Sequence, residues 1–104
     1  MTIYNKLVRD KIPEIIKKND KKFDSHIAKE KEYLKLLEAK LMEEVNEFLE
    51  DKTLEELADI IEVVVAFSKE LGYSENDLFE VRKKKALDRG AFNERIVLEK
   101  VYNK

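Results

Sequence analysis

The segment that most constrains the fold is LEELADIIEVVVAF, residues 54–67, which is mostly apolar but carries Glu56, Asp59 and Glu62 at steps of three. Successive residues of a helix turn by about 100°, so the apolar side chains here cover more than half of the helix surface. On that helix Glu56 lies between apolar neighbours, Asp59 lies at the edge of the apolar face, and Glu62 points towards solvent. We therefore expect a core helix with acids on or beside its buried face.

The rest of the chain also favours long helices, because its 104 residues include only 2 Gly and 1 Pro. Pro13 suits a first helical turn, and Thr53 and Ser74 suit N-caps. The predicted helices cover, approximately, residues 13–18, 28–49, 53–71 and 74–89, and the tail ERIVLEKVY is predicted to form a short strand or an extended arm. We predict a single all-α domain over residues 1–104, an antiparallel bundle of about four helices with a short extended C-terminal arm.

Charge and composition exclude several classes of function. The formal net charge is −2, from 23 acids and 21 bases, so there is no bulk attraction for nucleic acid or for an anionic membrane. The absence of cysteine excludes disulfides and thiolate zinc sites. The opening MTIYNKLVRDKIPEI is charged too early for a secretory signal, and no apolar run is long enough to cross a bilayer. We expect a cytoplasmic protein without nucleic-acid or membrane partners.

A second acidic pair lies in the preceding helix, where Glu44 borders the apolar stripe of AKLMEEVNEFLE and Glu47 lies one turn further on. A short break joins the two helices, so packing of their apolar faces would bring this pair towards Glu56 and Asp59. Burying like charges costs on the order of several kcal/mol per uncompensated ion, unless the acids are protonated or bind a cation. With oxygen donors and no nearby Cys or His, that cation would be Mg²⁺ or Mn²⁺.

Structural roles can account for the same acids. Glu56 can serve as the acid of a capping box that begins at Thr53. The acids of residues 43–50 can form a solvated face that is balanced by Lys40. The spacing alone leaves a metal site and these structural roles open. The one histidine, His26, lies in a polar connector, and we expect it at the surface.

The two acidic pairs, with their surroundings, resemble a known signature. Residues 43–47, EEVNE, followed by residues 56–59, ELAD, are similar to the E-E-x-x-E and E-x-x-D motifs of the MazG-like all-α nucleoside triphosphate pyrophosphohydrolases. The opening YNKLVRDKIPEII resembles the N-terminus of a phosphoribosyl-ATP pyrophosphohydrolase-like subgroup. The segment KKKALDRGAFNERIVL resembles the basic C-terminal element of that subgroup, with Ala91 in place of a second glycine. The resemblance covers nearly the whole chain.

The resemblance implies hydrolysis of a nucleoside triphosphate between its α- and β-phosphates, which yields a monophosphate and pyrophosphate. It also implies that Mg²⁺ is held by the two acidic pairs, Glu44, Glu47, Glu56 and Asp59. A carboxylate that the metal does not fully occupy can orient or deprotonate the attacking water, and Glu47 is our candidate. Candidate phosphate-binding residues are Lys85 and Arg89, one turn apart on the fourth helix, followed by Lys6 and Arg9. Lys85 and Arg89 can equally be an ordinary basic helix C-terminus.

The third helix is apolar over a wider face than a surface helix needs, so we expect self-association. The resemblance implies a homodimer or a dimer-based tetramer, with sites near the subunit interfaces. Removal of non-standard or damaged nucleotides is one role that suits this reaction. Two other functions stay open on the sequence: phosphoribosyl-ATP hydrolysis in histidine synthesis, and a non-catalytic helical dimer that binds a partner through its acidic groove.

Overall fold

A computed structural model describes residues 1–104 and contains four α-helices and no strands. The helices are α1 (Ile12–Lys18), α2 (Glu30–Glu50), α3 (Leu54–Glu70) and α4 (Glu75–Arg89). The prediction of an all-α chain with four helices is confirmed. The tail beyond residue 94 has neither helix nor strand, which rules out the short strand but not the extended arm among the two predicted alternatives.

Side-chain caps define where the last two helices begin. The hydroxyl of Ser74 accepts a hydrogen bond from the Asp77 N–H, and the Asp77 carboxylate accepts one from the Ser74 N–H, each at 3.0 Å. This reciprocal capping box lies at the N-cap that the sequence predicts for the fourth helix. At the start of α3 the Thr53 hydroxyl accepts from the Glu56 N–H at 3.2 Å, but the Glu56 side chain makes no return bond. The carboxylate of Glu56 is therefore available for another role.

The small core of the chain lies along α2 and α3, which pack on each other. The buried apolar side chains are Leu37 on α2 with Val63 and Val65 on α3. The other helices add little to it, because α4 packs only on α3 and α1 packs on no other helix. Gly72, with a φ of +95°, turns the chain between α3 and α4 in a conformation that other residues rarely adopt. The position of any site on α2 and α3 thus depends on one helix–helix contact.

The protomer is elongated and leaves much apolar surface uncovered. Its radius of gyration is 18.6 Å and its extents are 68 × 31 × 22 Å. A compact domain of this length has a radius of gyration of about 13 Å. Leu54, Leu57 and Ile61 form an exposed apolar stripe along α3, and further large apolar side chains are exposed in the tail: Ile96, Val97, Leu98, Val101 and Tyr102. No helix is both long enough and apolar enough to span a membrane.

Truncation of the core leucine tests the importance of the contact between α2 and α3. Leu37 is only 2% exposed, so Leu37→Ala should lower the free energy of unfolding by about 2–4 kcal/mol, through lost burial and the cavity left behind. Urea denaturation at a fixed protein concentration measures this change. Glu38→Ala, on the exposed side of the same helix, is the control and should change stability by less than about 0.5 kcal/mol. Equal effects of the two substitutions would contradict the assignment of the core.

Candidate metal centre

Three carboxylates from two helices converge where α2 packs on α3. Glu44 comes from α2, whereas Glu56 and Asp59 come from α3, where their spacing of three residues sets them on neighbouring positions of one face. One carboxylate oxygen of each residue lies within 4.8 Å of the others. Ligand oxygens of an octahedral magnesium ion lie about 3–4 Å apart, since each is about 2.1 Å from the metal. The three acids therefore need only small side-chain movements to share one cation.

Two oxygens of this cluster are buried without a hydrogen-bond partner. They are Oε2 of Glu44 and Oε2 of Glu56. Glu44 as a whole is only 7% exposed, which is unusual for a glutamate that is not fully paired. A buried acceptor without a partner costs free energy, and a buried negative charge costs more. These two oxygens are the clearest sign that the cluster requires a proton or a cation.

The local environment disfavours the charged form of both glutamates. Burial raises the pKa of Glu44, and the negative charge of Glu47 raises it further, while Lys40 acts in the opposite direction. Burial also raises the pKa of Glu56, with added repulsion from Glu47 and Asp59. Protonation and cation binding are therefore two solutions to the same electrostatic problem.

Glu47, the fourth predicted ligand, lies at the exposed rim of the cluster. It is not one of the three residues whose oxygens converge within 4.8 Å. Its negative charge nevertheless acts on both Glu44 and Glu56, so it lies close to each of them. Its exposed side chain is in contact with solvent, where water would enter the site. Its roles as a ligand and as a base stay predictions.

The structural alternative, a solvated acidic face whose charge is balanced by lysines, fits Glu43 better than it fits Glu44. The Lys6 ammonium lies 2.6 Å from Oε1 of Glu43, and the Lys40 ammonium lies 3.2 Å from Oε2. The hydrogen bond from Lys6 lowers the pKa of Glu43, and the same bond raises the pKa of Lys6. Glu44 forms an ion pair only with Lys40, whose ammonium lies 3.5 Å from Oε1 of Glu44. The i, i+4 spacing of Lys40 and Glu44 is the sequence signal for that contact.

The predicted basic residues divide into two groups. Arg9 contacts the cluster directly, because its guanidinium donates to Oδ1 of Asp59 at 2.6 Å. Lys6 lies beside the cluster on Glu43. Lys85 and Arg89 are exposed on α4, and neither forms an ion pair. His26 is exposed in its connector and contacts Glu32 at 3.0 Å, as expected for a surface histidine.

Comparisons of the chain with protein-family models, with curated proteins and with solved structures return no match. The case for a function therefore depends on the site itself, above all on the unpartnered oxygens of Glu44 and Glu56.

Neutralising Glu44 should stabilise the fold when no divalent cation is present. A folded-state pKa above the ordinary glutamate value of 4.5 means that the native state binds this proton more tightly than the unfolded state does. Stability should therefore fall as the pH rises from about 4.5 through the raised pKa. Glu44→Gln removes this penalty, and should raise the unfolding free energy at pH 7.5 in EDTA by about 1 kcal/mol.

Urea denaturation at pH 7.5 and pH 5 provides the measurement. The gain from Glu44→Gln should be smaller at pH 5, because the wild-type carboxyl is then closer to its neutral form. Glu50→Gln, exposed on the same helix, serves as the control and should show no comparable gain. A loss of stability in Glu44→Gln at pH 7.5 would show that this carboxylate is already compensated in the cation-free protein.

Proposed function

We propose that this chain is a Mg²⁺-dependent nucleotide pyrophosphohydrolase, which hydrolyses a nucleoside triphosphate to a monophosphate and pyrophosphate. The observation that carries the proposal is the convergence of Glu44, Glu56 and Asp59 around buried oxygens that have no partner. The choice of reaction comes from the resemblance of the acidic motifs and both terminal segments to the MazG-like enzymes. A role in clearing non-standard or damaged nucleotides is part of the proposal.

The residues of the cluster fit a hard divalent cation. All donors are carboxylate oxygens, and neither Cys nor His lies among them, which suits Mg²⁺ or Mn²⁺ better than a softer metal. Glu44, Glu56 and Asp59 would hold the ion, with Glu47 at the rim as a fourth donor. When bound, the ion would neutralise phosphate charge and the negative charge of the cluster.

The remaining side chains of the site have separate tasks in the proposed reaction. Water adds to a phosphorus atom as the bridging phosphorus–oxygen bond breaks, and pyrophosphate leaves. Glu47, exposed beside the cluster, accepts the proton of the attacking water. Arg9 and Lys6 lie on the same side as the acids and offer cationic donors to the phosphates. Lys85 and Arg89 have no partner acid and are further donors for a polyanionic substrate.

The proposed quaternary structure is a homodimer, alone or as half of a tetramer, in which MazG-like antiparallel bundles are completed by a second copy. The stripe formed by Leu54, Leu57 and Ile61 lies roughly opposite the face of α3 that carries the acids. The helix α2 therefore cannot cover it. The radius of gyration of 18.6 Å supports the same view, because an isolated chain this open buries little apolar surface.

Pyrophosphate release tests the proposed reaction. We expect release from at least one member of a panel of canonical nucleotides, modified nucleotides and phosphoribosyl-ATP, only when Mg²⁺ or Mn²⁺ is present. Glu44→Gln and Glu56→Gln should each lower kcat/KM by at least about 100-fold, because changes even outside the ligand shell of a metal cost 10–100-fold. Glu50→Gln is the matched control and should retain activity.

Three outcomes separate the candidate functions. Preference for phosphoribosyl-ATP would assign the chain to that reaction. Cation binding without hydrolysis of any panel member would favour the non-catalytic binding module. Unchanged activity in both Glu44→Gln and Glu56→Gln would show that the metal site is wrongly assigned.

Light scattering tests the proposed oligomer. At micromolar concentration the wild-type mass should be at least twice the 12.3 kDa of one chain. Ile61→Glu places a charge in the apolar stripe of α3 and should shift the mass towards the monomer. Lys69→Glu, exposed on the same helix, is the control and should leave the mass unchanged. A monomeric wild-type protein would contradict the proposal.

A further inference from the structure

The segment that precedes α1 has no regular secondary structure, yet two ion pairs hold it against both core helices. The ammonium of Lys6 contacts Glu43 of α2, and the guanidinium of Arg9 contacts Asp59 of α3, each at 2.6 Å. The two cations are three residues apart, so this short piece of chain crosses from one helix to the other beside the acidic cluster. Only one of the two pairs, Arg9 with Asp59, involves a residue of the cluster.

The cluster is compensated at its rim, and in its depth only by Lys40, which lies 3.5 Å from one oxygen of Glu44. The Oδ1 atom of Asp59 accepts a hydrogen bond from the guanidinium of Arg9. The Glu44 side chain, only 9% exposed, has an Oε2 atom without any partner, and so does Glu56. Arg9 donates to neither of these glutamates. A small divalent cation, in contrast, can be shared by oxygens of all three acids.

A cation that binds all three acids would share the Asp59 carboxylate, whose Oδ1 already accepts a hydrogen bond from Arg9. The ion pair is weak enough to be displaced, because 57% of the Arg9 side chain and 38% of the Asp59 side chain are exposed. A divalent charge at the cluster would also repel the guanidinium. The contact between Lys6 and Glu43 lies outside the cluster, so it can keep the segment tethered during the exchange. The released guanidinium would lie next to the metal, where its best partner is a phosphate group.

We propose that Arg9 is an exchangeable counter-ion, which occupies Asp59 in the metal-free protein, yields it to a divalent cation, and then binds a phosphate of the nucleotide. The exchange at Asp59 concerns cation binding alone. The transfer to phosphate rests on the proposed function. Arg9 is thus a substrate-binding residue, and it links metal binding to substrate binding by exchanging the carboxylate of Asp59 for a phosphate.

The first experiment measures Mn²⁺ binding to the full chain by calorimetry, without nucleotide. Arg9→Gln should bind Mn²⁺ about 2–5-fold more tightly than wild type, because no ion pair at Asp59 has to be broken. Lys11→Gln removes the same charge from the same segment but breaks no ion pair, and should change the affinity less. Glu44→Gln should weaken Mn²⁺ binding strongly, which locates the site that the titration reports.

The second experiment uses saturating Mg²⁺ and a nucleoside triphosphate analogue whose α–β bridge cannot be hydrolysed. Here Arg9→Gln should bind the analogue about 10-fold more weakly, because a charge-assisted hydrogen bond to phosphate is lost. With a hydrolysable nucleotide the same variant should raise KM more than it lowers kcat. Arg9→Lys keeps the charge and should recover part of the analogue affinity. One substitution thus has opposite effects on metal and nucleotide affinity, which loss of folding would not produce.

Three results would overturn the inference in different ways. Unchanged or weaker Mn²⁺ binding in Arg9→Gln, with Glu44→Gln defective, rejects the exchange and leaves the proposed function standing. Tighter Mn²⁺ binding in Arg9→Gln, without binding of any nucleotide to wild type, supports the exchange but rejects both the transfer to phosphate and the proposed function. A wild-type chain that binds no Mn²⁺ rejects the exchange and the metal site together.

Discussion

The contact between α2 and α3 is the interaction on which the rest of the structure depends. The two helices that it joins carry Leu37, Val63 and Val65, which are the whole apolar core of the protomer. The same contact buries Glu44 and sets it beside acids of the facing helix. The same interface therefore stabilises the fold and assembles the acidic cluster. The cluster lowers that stability, because every carboxylate brought there adds repulsion and loses hydration. A counter-charge relieves this conflict without any change in the packing.

Compensation around this interface is graded from the surface inwards. At the rim, Lys6, Arg9 and Lys40 each lie within 4 Å of a carboxylate. In the depth, two glutamate oxygens accept no hydrogen bond. Flexible basic side chains can reach the rim at little cost. The interior has room only for a smaller cation, such as a metal ion. The proposed chemistry uses this arrangement. The phosphates of the nucleotide would meet the basic side chains at the rim, and the metal ion would meet the unpartnered carboxylate oxygens in the interior.

The open shape of the protomer also limits the stability of the helix that carries the site. A core of three apolar side chains is small for a chain of 104 residues, and α3 carries a second apolar stripe away from α2. A second copy on that stripe would strengthen the helix that carries Glu56 and Asp59. In the proposed dimer, the rigidity needed to hold a metal site would come partly from the partner subunit.

The sequence by itself determined the helices and the direction of their faces. Capping residues and helical periodicity predicted the four helices, the position of Glu44 at the border of an apolar stripe, and the approach of Glu44 to Glu56 and Asp59. Tertiary structure decided which acids are paired with bases and which are not. Periodicity gives the angle of a side chain about its own helix axis, but not its depth against a neighbour. It placed Glu47 outside the apolar stripe, but it could not show that Glu47 is not among the converging acids. The contact of Arg9 with Asp59 was equally out of reach, because a segment without regular structure has no period from which a direction can be read.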